Sequence, residues 1–276
     1  MLLDGTDAGA LQRAAELLAA GELVGIPTET VYGLGARADD DAAVAKIFLA
    51  KGRPADHPLI VHVAEPADAE QFAAEVPAVA RRLMAAFWPG PLTLILPRAD
   101  GMGAAAAGGQ NSIGLRCPSH PVAHALLAAA QRLGVHGVAA PSANRFGRVS
   151  PTQAAHVVDE FGEALAVVDG GACDIGIESS IVDCSRGHPV LLRPGVLTRA
   201  RCSRRHTRAA FPASPRRART ASAASARRAP HTSSTSSARN SATRWWCSTA
   251  ATPSSASNRA SSIAPAAGRC CCAPAF

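Results

Sequence analysis

An α/β domain with a mixed, open and twisted sheet flanked by helices is the fold class that the sequence predicts. Three observations carry it. Helical and strand-like apolar patterns alternate through the first part of the chain, strand-like runs cluster after Leu165, and about 200 residues of globular composition can bury a full core. The 276-residue chain then changes character, so residues 1–198 read as a single domain and residues 199–276 as a disordered tail.

In order, Asp7 is placed to cap a helix running to about Ala20, with Leu11, Ala14, Leu17 and Leu18 as its apolar stripe and Gly21 as its stop. Glu22 to Ile26 is a short strand. Asp39 to Asp41 open a second helix, in which Val44, Ile47 and Phe48 form the apolar face and Lys51 and Arg53 stand at the C-terminal end. Leu59 to Val63 alternates as a strand with His62 inside it. Pro66 to Phe87 reads as helix in two pieces broken near Pro77, Trp88-Pro89-Gly90-Pro91 forces a turn, and Leu92 to Leu96 is a buried strand. The Ala/Gly-rich stretch Asp100 to Gln110 is expected to be a mobile loop. Ser112 opens the strand Ile113 to Arg116, Pro121 to Leu133 is a helix, and Gly137 to Ala140 is a strand running into Pro141-Ser142-Ala143-Asn144. Ser150 is expected to cap a further helix, with Pro151 at its first position and Gln153 as capping-box partner. Leu165 to Val168 is a strand and Gly170-Gly171 a turn. Ser180 to Cys184 and Pro189 to Leu192 read as a hairpin that ends at Arg193-Pro194-Gly195.

Charge divides the chain where composition does. The net charge is +7, yet residues 1–200 hold 15 Lys and Arg against all 21 Asp and Glu, while residues 201–276 hold 13 Arg and no Lys, Asp or Glu. The body is therefore acidic, which argues against non-specific nucleic-acid binding by it. The spacing of Cys117, Cys173 and Cys184 fits neither a zinc site nor a disulfide framework, so a reduced, cytoplasmic protein is expected. No run of about 18 apolar residues occurs, so no membrane span is expected, and the start MLLDGTD lacks the basic region of a signal peptide. In the tail, Ala, Ser and Arg make up 48 of 76 residues and Leu, Val and Met are absent, so apolar burial cannot offset the cost of ordering it. A basic segment of this kind ordinarily serves as a nucleic-acid arm. GC-rich codons read out of frame give the same composition, and a frame lost near Arg199 to Cys202 is the preferred reading.

Two clusters in the body suggest chemistry. Thr28, Glu29, Thr30 and Tyr32 gather ahead of Gly33 and Gly35, and Lys51 and Arg53 have no acidic partner close in sequence, which suits a polyphosphate. The structural alternative is a solvated helix end whose cations complement the dipole. Gly33, Gly35 and Ala38 mimic the dinucleotide fingerprint, but a polar TETVY precedes them and the helix opens only at Asp39, so that reading is discounted; no P-loop sequence occurs either.

PTETVYGLG, KGRP, PLIVHV, WPGPLT, PSAN, SPT and LRPG follow one another between about Leu11 and Thr198. With these motifs in this order the chain resembles the YrdC family, the L-threonylcarbamoyladenylate synthases. The resemblance implies an open twisted sheet with a concave, positively lined face. It implies a nucleotidyltransferase that turns L-threonine, bicarbonate and ATP into threonylcarbamoyladenylate and pyrophosphate, for modification of the adenosine beside the tRNA anticodon. By its motifs, Lys51, Arg53, Ser142 and Asn144 form the catalytic set. Together with His57, Ser112, Ser150 and Arg193 they bind ATP, His57 standing where many relatives have Asn. Thr30, His62, Arg116, the Ala140 backbone and Ser179 are implied on the threonine side, with Arg116 as a bidentate carboxylate clamp. Mg²⁺ is expected with ATP, held largely by phosphates and water, with Glu29 and Glu178 able to orient it through water. Downstream tRNA-modification proteins and double-stranded RNA are the implied macromolecular partners. Long members of the family carry a second domain after a linker, which a lost frame would scramble here. Two rival readings are a non-catalytic RNA-binding module of translation-factor type, and the related domain of carbamoyl-phosphate-using hydrogenase maturation proteins. The paired CxxC motifs and acylphosphatase-like domain of the latter are not visible in this sequence.

Overall fold

Apolar alternation and helix caps organise the chain into one ten-stranded sheet and six α-helices among the described residues, 1–198, of a computed structural model. The expected domain boundary after Thr198 and both readings of the tail concern residues outside the described ones. The first half contains β1 (Leu2–Asp4), α1 (Ala8–Ala19), β2 (Val24–Ile26), β3 (Gly33–Arg37), α2 (Asp41–Lys51), β4 (Ile60–His62), α3 (Ala69–Phe72), α4 (Ala78–Phe87) and β5 (Leu92–Pro97). The second half contains β6 (Ser112–Arg116), α5 (Pro121–Arg132), β7 (Val138–Ala139), α6 (Ala154–Phe161), β8 (Ala166–Asp169), β9 (Ser180–Asp183) and β10 (Val190–Arg193). The spatial order is β1-β8-β2-β3-β7-β4-β6-β5-β9-β10. Parallel pairs (β1 with β8, β8 with β2, β4 with β6, β5 with β9) alternate with antiparallel ones, which makes the sheet mixed as expected.

Consecutive strand residues face opposite sides of a sheet, and the core divides accordingly. Val138, Ala166 and Val168 join Leu18 of α1 and Leu126 of α5 on one side. Ala139 and Val167 join Ile47 of α2, Phe72 of α3 and Leu83 of α4 on the other. Caps set the helix starts: Asp7 accepts from the amides of Gly9 and Ala10, and Asp40 from those of Ala42 and Ala43. Gly52, in the left-handed region at φ 61°, ends α2 and sends Arg53 and the following loop back over the sheet.

Two local expectations are corrected, and two strands are added that the sequence reading did not assign. The GLGAR stretch that mimics a dinucleotide fingerprint is strand β3, and β1 is a further strand the sequence did not announce. The glycines of β3 permit close strand packing: a Cβ on Gly35 would lie 2.9 Å from Val138 Cγ1 and one on Gly33 would lie 3.1 Å from Ala140 Cβ. The stretch from Asp100 to Gln110 is not a free loop but a run of turns pinned to the body. Leu59 N donates to Ala106 O at 2.7 Å, Ala105 N to Asp41 Oδ1 at 3.1 Å, and Arg98 Nε to Gln110 O at 2.9 Å. Ser150 does not cap α6, whose N-cap position is Gln153 without a side-chain bond. Pro151 O instead accepts from Tyr32 N at 2.8 Å, which holds the segment extended and turns Ser150 toward Glu178. No helix among the described residues is long and apolar enough to cross a membrane.

Candidate active site

Helix α2 delivers Lys51 to the sheet, and the loop after β7 closes over it. Phe146 N donates to Lys51 O at 2.9 Å, and Lys51 Nζ donates to Ser142 O at 2.6 Å and to Asn144 O. Lys51 is only 3% exposed, so the solvated helix end does not describe it. Burial, and then the neighbouring Arg53 charge, push its pKa down to about 7. Two carbonyls occupy two of its N–H directions, leaving a third for an anion. Arg53 donates from NH2 to Pro58 O at 3.0 Å, while its buried Nε finds no hydrogen-bond partner among the described residues. Asn144 spends its amide on Arg145 O (2.9 Å) and Arg148 O (2.8 Å), and its buried Oδ1 is unpartnered among the described residues. His57 packs edge-on to Phe146 with ring centroids 5.6 Å apart, and burial lowers its pKa. Ser112, at the start of β6, lies two residues before Gly114, which pairs with Ile60 just after Pro58. It therefore sits toward the Arg53 end of the sheet.

The other end of the same two strands carries a different set. His62 of β4 and Arg116 of β6 are register partners, so their side chains emerge side by side. Arg116 NH1 donates to Thr30 Oγ1 at 2.9 Å, and its NH2 lies 2.8 Å from Glu29 Oε1 in a pair whose side chains are 4% and 6% exposed. Thr30 Oγ1 also meets Thr28 Oγ1 at 2.9 Å. Burial, then the Arg116 charge, hold the His62 imidazole neutral, with a pKa of about 3. Ala140 N is spent on Ile60 O at 2.9 Å.

Arg193, at the end of β10, stands between these sets. It donates from Nε to Ser179 O at 3.0 Å, from NH2 to Ser179 Oγ at 3.2 Å, and forms an ion pair with Glu178. Burial lowers its pKa, against the opposing charge of Glu178. Ser150 Oγ donates to the second oxygen of Glu178 at 3.0 Å, and Ser179 Oγ meets Thr93 Oγ1 at 2.8 Å. Thr30 and His62 thus lie beside Arg116 and Ser179 beside Arg193, while Ser142, Asn144 and His57 lie about Lys51 and Arg53, and Ser150 beside Glu178. Glu29 and Glu178, read as able to orient a metal through water, pair with Arg116 and Arg193, pairings the sequence reading did not assign, and it did not single out Thr93. The signal for Glu29 was available, because an arginine inside an apolar strand such as SIGLR needs a carboxylate and body acids are scarce in its neighbourhood.

The Sua5/YciO/YrdC family model, described as Telomere recombination, matches residues 16–195. A Pyrococcus abyssi protein named Threonylcarbamoyl-AMP synthase is 48% identical over 185 residues, covering 67% of this chain and 53% of that protein. A Bacillus subtilis (strain 168) protein of the same name is 47% identical over 191 residues, with 68% and 54% covered. The crystal structure of P. abyssi Sua5 complexed with L-threonine superposes with a TM-score of 0.68 at 43% identity, covering 71% of this chain and 57% of that one. The chain spans about half the length of the curated relatives it matches.

Proposed function

The chain belongs to the Sua5/YciO/YrdC family, and from that premise we propose that it makes L-threonylcarbamoyladenylate and pyrophosphate from L-threonine, bicarbonate and ATP. The observation that carries the reading is that two unlike anion sites lie along one pair of adjacent strands: Lys51 and Arg53 beyond one end of β4, and Arg116 with His62 at the other. A polyphosphate suits the first and an amino-acid carboxylate the second.

Threonine's amine adds to the bicarbonate carbon with loss of water, giving a carbamate. A carbamate oxygen then attacks the α-phosphorus, the bond to the β-phosphate oxygen breaks, and pyrophosphate leaves. No protein nucleophile is needed, so the residues act by positioning two anions and stabilising the leaving charge. The third N–H direction of Lys51 and Arg53 Nε, which has no hydrogen-bond partner among the described residues, are donors for phosphate oxygens. Ser142, Asn144, Ser150, Ser112, His57 and Arg193 surround the nucleotide. Arg116 takes the threonine carboxylate, and Thr30, Ser179 and neutral His62 offer hydrogen bonds to the substrate. Magnesium enters as the counter-ion of ATP. Asn144 Oδ1 fits an acceptor for a metal-bound water, whereas Glu29 and Glu178 are held by arginines. The product would pass to proteins that modify tRNA, and double-stranded RNA is a further expected partner.

Pyrophosphate release from the full chain, measured with each substrate omitted in turn, tests the assignment. Turnover is expected to need both threonine and bicarbonate. Equal turnover with serine, or without bicarbonate, would count against it. RNA binding with no turnover would favour a non-catalytic module.

A further inference from the structure

The Arg116–Glu29 pair is close but incompletely satisfied. Thr30 Oγ1 takes a hydrogen bond from Arg116 NH1, and Nε faces Gly90 O at 3.4 Å. NH2 lies 2.8 Å from Glu29 Oε1, yet NH2 and both Glu29 carboxylate oxygens are buried without a well-aligned hydrogen bond among the described residues. Buried charged groups left this way are costly unless something completes them. The missing partners are an acceptor for Arg116 and a donor for Glu29. An amino acid carries both, as carboxylate and ammonium. His62 beside them adds no charge, and its own Nδ1 is unpartnered among the described residues.

Resting on the threonine site proposed above, we propose that Glu29 is the acceptor for the substrate's α-ammonium: threonine's carboxylate takes the open face of Arg116 and its ammonium takes the Glu29 carboxylate. The protein pair sums to zero and so does the zwitterion, so entry of threonine leaves no charge unbalanced in the buried site. A carboxylic acid without an amine would satisfy Arg116 and strand the Glu29 carboxylate, leaving one buried negative charge unbalanced. Recognition of the amine, and with it the orientation of the nitrogen that must become the carbamate, is assigned to this one side chain.

Calorimetric titration of the full chain with threonine and with 3-hydroxybutyrate, the analogue in which a hydrogen replaces the amine, tests this. The wild type is expected to bind threonine roughly 10- to 100-fold more tightly than the analogue. Glu29→Gln is expected to lose roughly 10- to 100-fold in threonine affinity and to hold the analogue at least as well as the wild type does. Glu29→Asp should keep the preference for threonine. Equal wild-type affinity for threonine and the analogue, or an equal loss of both ligands in Glu29→Gln, overturns the proposal while the threonine site stands. Wild type that binds no threonine overturns both. If Glu29→Gln does not fold, the wild-type preference for threonine and its persistence in Glu29→Asp decide.

Discussion

Lys51 has two carbonyl acceptors and one N–H direction to spare, and its protonation decides what it can do with that direction. With a pKa of about 7 against an ordinary 10.5, it is largely a neutral amine at pH 8, still able to donate to both carbonyls. A phosphate favours the charged form. ATP binding above pH 7 should therefore draw in a proton, and apparent ATP affinity should fall by up to about tenfold per pH unit there. Between the folded and unfolded values the unfolded chain holds the extra proton, so the contribution of this group to stability rises with pH across that window. Calorimetry at pH 8 in two buffers checks the proton count, and zero uptake would contradict it. The cations themselves were legible in the sequence from the KGRP motif. Their neighbours were not, because the carbonyls that hold Lys51 belong to Ser142 and Asn144, far along the chain, and only tertiary folding brings a backbone oxygen to a side chain.

At the scale of elements, helices announced themselves through side chains, and strands did so only where apolar residues alternate. Asp7 and Asp40 marked α1 and α2 in the sequence because a capping carboxylate is a local device. Strand β3 hid behind its glycines, which serve a neighbour and not the strand itself. A second glycine has a similar duty beside the site. Gly195 follows β10, and its amide donates to Ser180 Oγ at 3.0 Å. A Cβ there would lie 2.5 Å from Glu178 O and 2.7 Å from Ser180 N, backbone atoms that cannot swing aside. Gly195→Ala should therefore push the end of β10 outward, cost about 1–3 kcal/mol, and loosen the bonds from Arg193 to Ser179. Thermal melting and ATP titration check this together. Unchanged melting with unchanged ATP affinity would mean that the contact yields more easily than its geometry implies.

At the scale of the whole molecule, the alternating and then strand-rich pattern was enough for the fold class but not for the order of the strands. The sheet places β8 between β1 and β2, and β7 between β3 and β4, pairings between segments remote in sequence that no local periodicity encodes. The site depends on that order. Placing β4 beside β6 in parallel puts His62 next to Arg116, and placing β9 beside β5 brings Ser179 to Thr93.

The buried Arg116–Glu29 pair also decides how the threonine site proposed here responds to ionic strength. Mobile ions act on unbalanced charge over distances of about 8–10 Å at ordinary salt. A compact pair of opposite charges meeting a zwitterion offers them almost nothing to screen, as two dipoles meet at contact range. Threonine affinity should therefore stay flat between about 0.05 and 0.5 M salt, whereas ATP, which carries net charge, is the internal control that moves. A threonine affinity that tracked salt as ATP does would show Arg116 to be an open charge, and the flat response is what marks a site that carries its own counter-ion.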